Sequence, residues 1–261
     1  MNAFLPPRSR PLNLAHRGVS GDAPENTLAA FRLAAEMGAD GIELDAKVSR
    51  DGAVVILHDA TVDRTTDGTG RVSELTLDEL KRLDAGSKFN AKFAGERIPT
   101  LDEVFDAVGD NLIINVELTN YDTRGDDLEF KMIKLIARHR LADRVMVSSF
   151  NPLSLRKVKQ AAPHIVCGLL YSLSNPIFIR RTWGAPFVPH LEARHPEYHM
   201  VDAGFVRKYH ARGQKINVWT VNEEADLRRM IEAGVDAIMT DRPFVLQRVL
   251  DGQQWDVLRV A

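Results

Sequence analysis

Leu12-Asn13-Leu14-Ala15-His16-Arg17-Gly18, then Asn26-Thr27-Leu28 leading to Met37-Gly38, then Gly41-Ile42-Glu43-Leu44-Asp45-Ala46-Lys47-Val48: these segments set the architecture. The first is a short apolar strand, Leu12 to Ala15. The second has a helical pattern, Thr27 to Met37, with Leu28, Phe31, Leu33, Ala34 and Ala35 on one face. Asn26 is its expected N-cap, and Gly38 stands in the stop position. The third is a strand, and Asp51-Gly52, a hairpin dipeptide, turns it into another, Ala53 to Leu57, that runs into His58-Asp59.

The same rhythm continues to the end of the chain. Thr100-Leu101-Asp102-Glu103 is a capping box that opens a helix to Val108. A strand over 112–117 precedes a helix over 127–139, and a strand over 144–148 precedes a helix that starts at Asn151-Pro152. A strand over 165–171 is followed by a weak helix, Pro176 to Thr182, and a loop up to Pro196. Tyr198 to Val201 reads as a strand, Gly204 to Arg212 as a helix and Lys215 to Thr220 as a strand. A helix from Glu223 to Ala233, capped by Asn222, a strand over 235–239 and a helix over 243–250 complete the series. Alternation of this kind predicts an α/β fold with a parallel sheet covered by helices. About eight units in a chain of this length match a (β/α)8 TIM barrel. No G-x-G-x-x-G follows the first strand, which counts against a doubly wound dinucleotide-binding sheet. The whole chain, 1–261, is expected to be one domain.

One region breaks the rhythm. Residues 60–100 are far too many for a strand-to-helix loop of roughly 2–6 residues. They contain a capping box, Thr76-Leu77-Asp78-Glu79, and two phenylalanines, Phe89 and Phe93. These predict a small ordered subdomain inserted after the second strand region, rather than a disordered loop.

Alternation along a strand puts Glu43 and Asp45 on one face and Ile42 and Leu44 on the other. A lone E-x-D is usually a solvated strand face. Here a His-Arg-Gly precedes it and a His-Asp follows, each ending an apolar run, so imidazoles and a guanidinium gather at the same sheet end. Glu117 shares a face with Ile113 and Asn115, the interior face in a barrel. Three converging carboxylates repel unless a cation lies between them, and hard oxygen ligands suit Mg²⁺, Ca²⁺ or Mn²⁺. Sites in such sheets lie at the carboxyl ends of the strands, where His16, His58, Glu117 and Trp219 all fall.

Composition excludes other classes. A net charge of -2 gives no basic surface for nucleic acid. No run approaches the ~20 apolar residues needed to span a bilayer, and the first residues lack a signal-peptide core. The single cysteine, Cys167, lies in an apolar run and reads as a small core residue. The expectation is a soluble cytoplasmic protein without stable membrane insertion, its oligomeric state open.

The ordered set His16-Arg17-Gly18, Pro24-Glu25-Asn26-Thr27, Glu43-Leu44-Asp45, His58-Asp59, Asn115-Val116-Glu117-Leu118, Asn217-Val218-Trp219-Thr220 and Met239-Thr240-Asp241-Arg242-Pro243 resembles the glycerophosphodiester phosphodiesterase family. The resemblance covers nearly the whole chain. It implies a metal-dependent hydrolase that cleaves small glycerophosphodiesters to an alcohol and glycerol 3-phosphate, with glycerol phosphate salvage as the natural setting. It assigns metal binding to Glu43, Asp45 and Glu117, and it implies an insertion that helps frame the substrate pocket.

His16 and His58 are the expected acid–base pair, the order of their roles left open, because imidazole is the side chain suited to proton exchange near neutral pH. Arg17 supplies a planar fork for phosphate. Glu25 either orients Arg17 or favours the start of the helix. Trp219 and Phe150 each read equally as an apolar wall against glycerol carbons or as packing at the barrel mouth. Attack by water and attack by the neighbouring glycerol hydroxyl through a cyclic phosphate both remain open. Many family members carry lysine where this chain has Thr119, so one charge beside the phosphate is missing; Lys88 or Lys92 from the insertion is the expected replacement. Of the other histidines, His139 and His210 read as helix surface, and His190 and His195 as residues of the site entrance. The alternatives are a lysophospholipase D-type enzyme on bulkier lipid diesters, and a non-catalytic barrel that binds phosphorylated ligands.

Overall fold

A computed structural model describes residues 1–121, 123, 125–174 and 188–252. Its centre is a ring of parallel strands. β1 (Leu12–His16) pairs with β2 (Gly41–Val48), which pairs with β4 (Ile113–Leu118). The order continues through β5 (Val145–Ser149), β6 (Val166–Tyr171), β7 (Ala193–Pro196), β8 (Lys215–Val218) and β9 (Ala237–Thr240). β9 returns to β1, with Leu14 opposite Met239, and this last pairing closes the barrel. β3 (Val54–Ile56) is the antiparallel arm of the Asp51-Gly52 hairpin and lies outside the ring.

Helices α1 (Leu28–Glu36), α3 (Leu101–Val108), α4 (Leu128–His139), α5 (Pro152–Ala161), α6 (Ala203–His210), α7 (Glu224–Ala233) and α8 (Pro243–Leu250) cover the ring. Even-numbered β2 and β4 residues, Ile42, Leu44, Ile114 and Val116, pack outward against Phe31, Val104, Phe105 and Met132. Odd-numbered residues of these two strands face inward. Leu12, Leu14, Ile113, Met146, Val166 and Met239, with Phe4, form an apolar floor inside the ring. A polar layer lies above it: Asn115 donates to Ser148 Oγ at 3.0 Å, and the Asn217 amide is 3.0 Å from His195 Nε2. Gly168 is required there, because a Cβ at that position would stand 2.3 Å from His195 Nε2.

The insertion is built around helix α2 (Leu77–Arg82), whose capping box is complete. Val62, Val72, Leu80, Ala85 and Ile98 form a small core beneath it, joined to Val55 of the hairpin. Thr100 and Glu103 form the second capping box, at the start of α3.

The structure corrects several sequence expectations. The sixth barrel strand, β7, is Ala193–Pro196, and Tyr198–Met200 is a 3-10 turn. Arg194 and Pro196 hide this strand from a sequence reading, but the Arg194 guanidinium is covered by the Tyr209 ring at 4.2 Å. The α1 N-cap is Thr27 rather than Asn26, and the α7 N-cap is Glu223 rather than Asn222. His195 lies wholly buried in the barrel interior, not at an entrance. Burial brings its imidazole down to about 3, so it stays neutral. His139 and His210 are fixed to Asp102 and Asp236 at 2.7 and 2.6 Å. The expected helix from Pro176 to Thr182 falls outside the described residues.

Candidate active site

The interior rows of β1, β2 and β4 all rise to the carboxyl end of the barrel. Asp45 pairs in register with Glu117, and His16 with Glu43. One ligand oxygen from each of Glu43, Asp45 and Glu117 lies within 4.8 Å of the other two. Glu43 and Asp45 are 3% and 1% exposed. Burial and the neighbouring carboxylates push Glu43 well up, and burial with the Asp45 charge pushes Glu117 to about 8. Oxygen ligands so crowded and dry have the chemistry of a hard-dication site.

Arg17 sits over this cluster. Its backbone is left-handed (φ 57°), so the strand has ended and the side chain turns back toward β2. Its N–H donates to Glu43 Oε2 at 3.1 Å, and its guanidinium meets Glu25 at 3.0 Å and Asp45 at 3.4 Å. The next residue, Gly18, is left-handed too and passes close over α1; a Cβ would be 2.6 Å from that of Ala30. Asn26 (φ 57°) donates its amide to Asp45 Oδ2 at 2.8 Å. That bond explains why it does not cap the helix.

The two histidines are held differently. His16 Nδ1 is 2.7 Å from Asp241 Oδ1, and its Nε2 is 3.9 Å from Glu43 Oε2. Asp241 is itself fixed by Asn222 at 2.6 Å and Ser20 at 3.0 Å. Although burial opposes it, the bonds from His16, Asn222 and Ser20 hold the Asp241 carboxyl at about 2. His58 is 42% exposed, with Nδ1 2.7 Å from Asp59 Oδ1. Arg64, from the insertion, bonds Asp59 at 2.6 Å and grips Glu25 with two nitrogens at 2.7 and 2.8 Å. An unbroken run of ion pairs therefore leads from His58 through Asp59, Arg64 and Glu25 to Arg17. Glu25 does orient Arg17.

Across the mouth, Trp219 donates Nε1–H to the His195 carbonyl at 2.8 Å and meets Phe150 edge-on at 5.5 Å. Tyr121 packs against Phe150 and donates its hydroxyl to Glu117 Oε1 at 2.8 Å. No sequence expectation assigns Tyr121 or Arg64 to the site, and Asp241 enters only as part of the Met239–Pro243 motif, without a role. Lys88 and Lys92 are elsewhere engaged: one donates to the Asp63 carbonyl at 2.6 Å, the other lies over Phe93. A hollow of about 300 Å³ lined by His16, Arg17, Glu25, Asn222, Asp241 and Arg242 opens beside His16. A larger one, about 590 Å³, lies under residues 6–11 and has none of these groups.

Residues 16–245 match the sequence model of the glycerophosphoryl diester phosphodiesterase family. The chain belongs to that family. It is 47% identical to a glycerophosphodiester phosphodiesterase of Caldanaerobacter subterraneus over 90% of this chain and 96% of that protein. It is 35% identical to glycerophosphodiester phosphodiesterase 1 of Bos taurus, over 84% and 74%. Among solved structures, an Oleispira antarctica phosphodiesterase in complex with the product sn-glycerol-3-phosphate aligns with a TM-score of 0.84 at 32% identity, covering 93% of this chain and 97% of that one. This phosphodiesterase is thus a TIM-barrel member of a hydrolase family, and no helix among its described residues is long and apolar enough to cross a membrane.

Proposed function

We propose that the chain, with its 60–100 insertion, is one phosphodiesterase barrel that hydrolyses small glycerophosphodiesters to an alcohol and glycerol 3-phosphate. The observation that carries this reading is the convergence of Glu43, Asp45 and Glu117 within 4.8 Å beside an imidazole and a guanidinium. Those three carboxylates would hold one Mg²⁺, Ca²⁺ or Mn²⁺. Such an ion supplies Lewis-acid polarisation of a phosphoryl oxygen.

The chain's own residues do the rest. Arg17 offers its permanent charge to the phosphate and to the negative charge that grows on its oxygens during attack. An Nδ1–H bond to Asp241 or to Asp59 leaves the Nε2 of His16 or His58 to accept or deliver a proton. One imidazole removes the proton of the attacking oxygen. The other protonates the alcohol oxygen as its bond to phosphorus breaks, so the proton account closes. Phe150 and Trp219 give the glycerol carbons an apolar wall.

Turnover of glycerophosphocholine and glycerophosphoethanolamine, with a chelator and after adding back each dication, tests the reading. Activity that needs the dication supports it; no turnover of either substrate with any of the three ions overturns it. His16→Ala and His58→Ala assayed on a p-nitrophenyl diester, whose leaving group needs no proton, assign the roles. The variant that recovers on that substrate has lost the acid.

A further inference from the structure

Glu43, Asp45 and Lys47 alternate with outward-facing residues on β2, so all three present to the same interior face. Asp45 stands opposite Glu117 in the β2–β4 pairing, and Ala46 opposite Leu118. One step further along, the Lys47 ammonium reaches the adjoining strand end and donates to the Thr119 carbonyl at 2.8 Å. Lys47 is only 7% exposed. A lysine is rarely buried this deeply unless opposite charge requires it. Its charge is felt at Glu117, the carboxylate across the strand pair. Thr119 is uncharged, and its hydroxyl is turned away into the sheet, bonded to the Ala46 carbonyl at 2.9 Å.

Three carboxylates and one dication leave one negative charge, and a bound phosphodiester adds another. Arg17 offsets one of these, but it lies on the β1 side and is shared with Glu25. The β4 side of the phosphate needs a second fixed cation, and Lys47 is the buried ammonium at that position. We propose that Lys47 holds the phosphate oxygens on the β2–β4 side of the site, opposite Arg17. This rests on the phosphodiesterase reading and adds to it a phosphate-binding residue drawn from β2 rather than from β4.

The test uses the full chain and glycerol 3-phosphate as probe, with binding measured by calorimetry in saturating Mg²⁺ beside kcat/KM on glycerophosphocholine. Losing one charge-assisted hydrogen bond in a buried site weakens anion binding by about 10–100-fold. Lys47→Gln is expected to lose that much glycerol 3-phosphate affinity while Mg²⁺ affinity stays within a few-fold. Placing the ammonium on the neighbouring strand, Lys47→Gln with Thr119→Lys, is expected to recover at least a third of the lost binding. Lys47→Gln that binds glycerol 3-phosphate like the parent overturns the proposal, as does a loss explained wholly by weaker Mg²⁺ binding. If Lys47→Gln does not fold, Thr119→Lys alone decides. Two ammonium groups on that side should tighten glycerol 3-phosphate binding, and unchanged or weaker binding overturns the proposal. A parent protein inactive on every diester would defeat the phosphodiesterase reading instead, so the two failures are distinguishable.

Discussion

Asp241 bears on His16 more directly than any other residue. It fixes Nδ1, and with it the ring's orientation and tautomer. Asp241→Asn keeps the shape but can present an amide N–H to the ring. A fall in kcat of about 10²–10⁴-fold with KM changed far less is expected, measured on glycerophosphocholine. The carboxyl is held at about 2 against an ordinary 3.8, so it adds stability above about pH 4 and loses that contribution as pH falls through 2. Asp241→Asn should therefore be less stable at pH 7 by on the order of 1–2 kcal/mol. Acid denaturation curves should show that difference closing between pH 4 and pH 2. Glu117 has the opposite sign. Raised to about 8 from 4.5, it keeps a proton in the folded state that the unfolded chain releases. Chelated protein should lose thermal stability as pH climbs from about 5 to 8, and added dication should flatten that slope. Parallel melting curves with and without the ion would contradict the three-carboxylate site.

At the scale of elements, Arg64 ties the insertion to the carboxyl end of the barrel by ion pairs. Arg64 bridges Asp59 and Glu25, and so links the two halves that carry His58 and Arg17. It is 48% exposed, and exposed ion pairs contribute only about 0–1 kcal/mol to stability. Arg64→Gln should thus shift Tm by a few degrees at most, yet lower kcat/KM about tenfold by loosening His58 and Arg17 together. A variant with unchanged kinetics would reduce Arg64 to surface decoration. These elements also show what a sequence can disclose. Strands β1, β2, β4, β5 and β6 were legible because their residues alternate or run apolar between turn signals. β7 was not, because its Arg194 and His195 become tolerable only once Tyr209 and Asn217 are packed against them. Glu43, Asp45 and Glu117 were legible because two lie on one strand face and the third ends another. Arg64 was not, and Asp241 was visible only as part of a motif and not as the partner of His16, since Glu25 and His16 stand 39 and 225 residues away from them.

For the molecule as a whole, the barrel separates rigidity from chemistry. The apolar floor of Leu14, Met146 and Met239 and the polar layer above it hold the strands in register, and the charged groups sit on top. Tight packing makes that middle layer intolerant. Gly168→Ala puts a methyl against the His195 ring, and a loss of about 1–3 kcal/mol is expected in urea unfolding, with the Mg²⁺ affinity of the surviving folded protein unchanged.

Closure of the ring has a consequence in time. His16 emerges from the ribosome 225 residues ahead of the carboxylate that anchors it, which follows β9, the strand that seals the circle. A polypeptide that stops short of β9 therefore carries the imidazole proposed for proton transfer unsupported, and synthesis itself acts as the safety catch. Ribosome-stalled chains that stop before β9 should be silent toward glycerophosphocholine, and those extended by a linker past α8 should switch on in a single step.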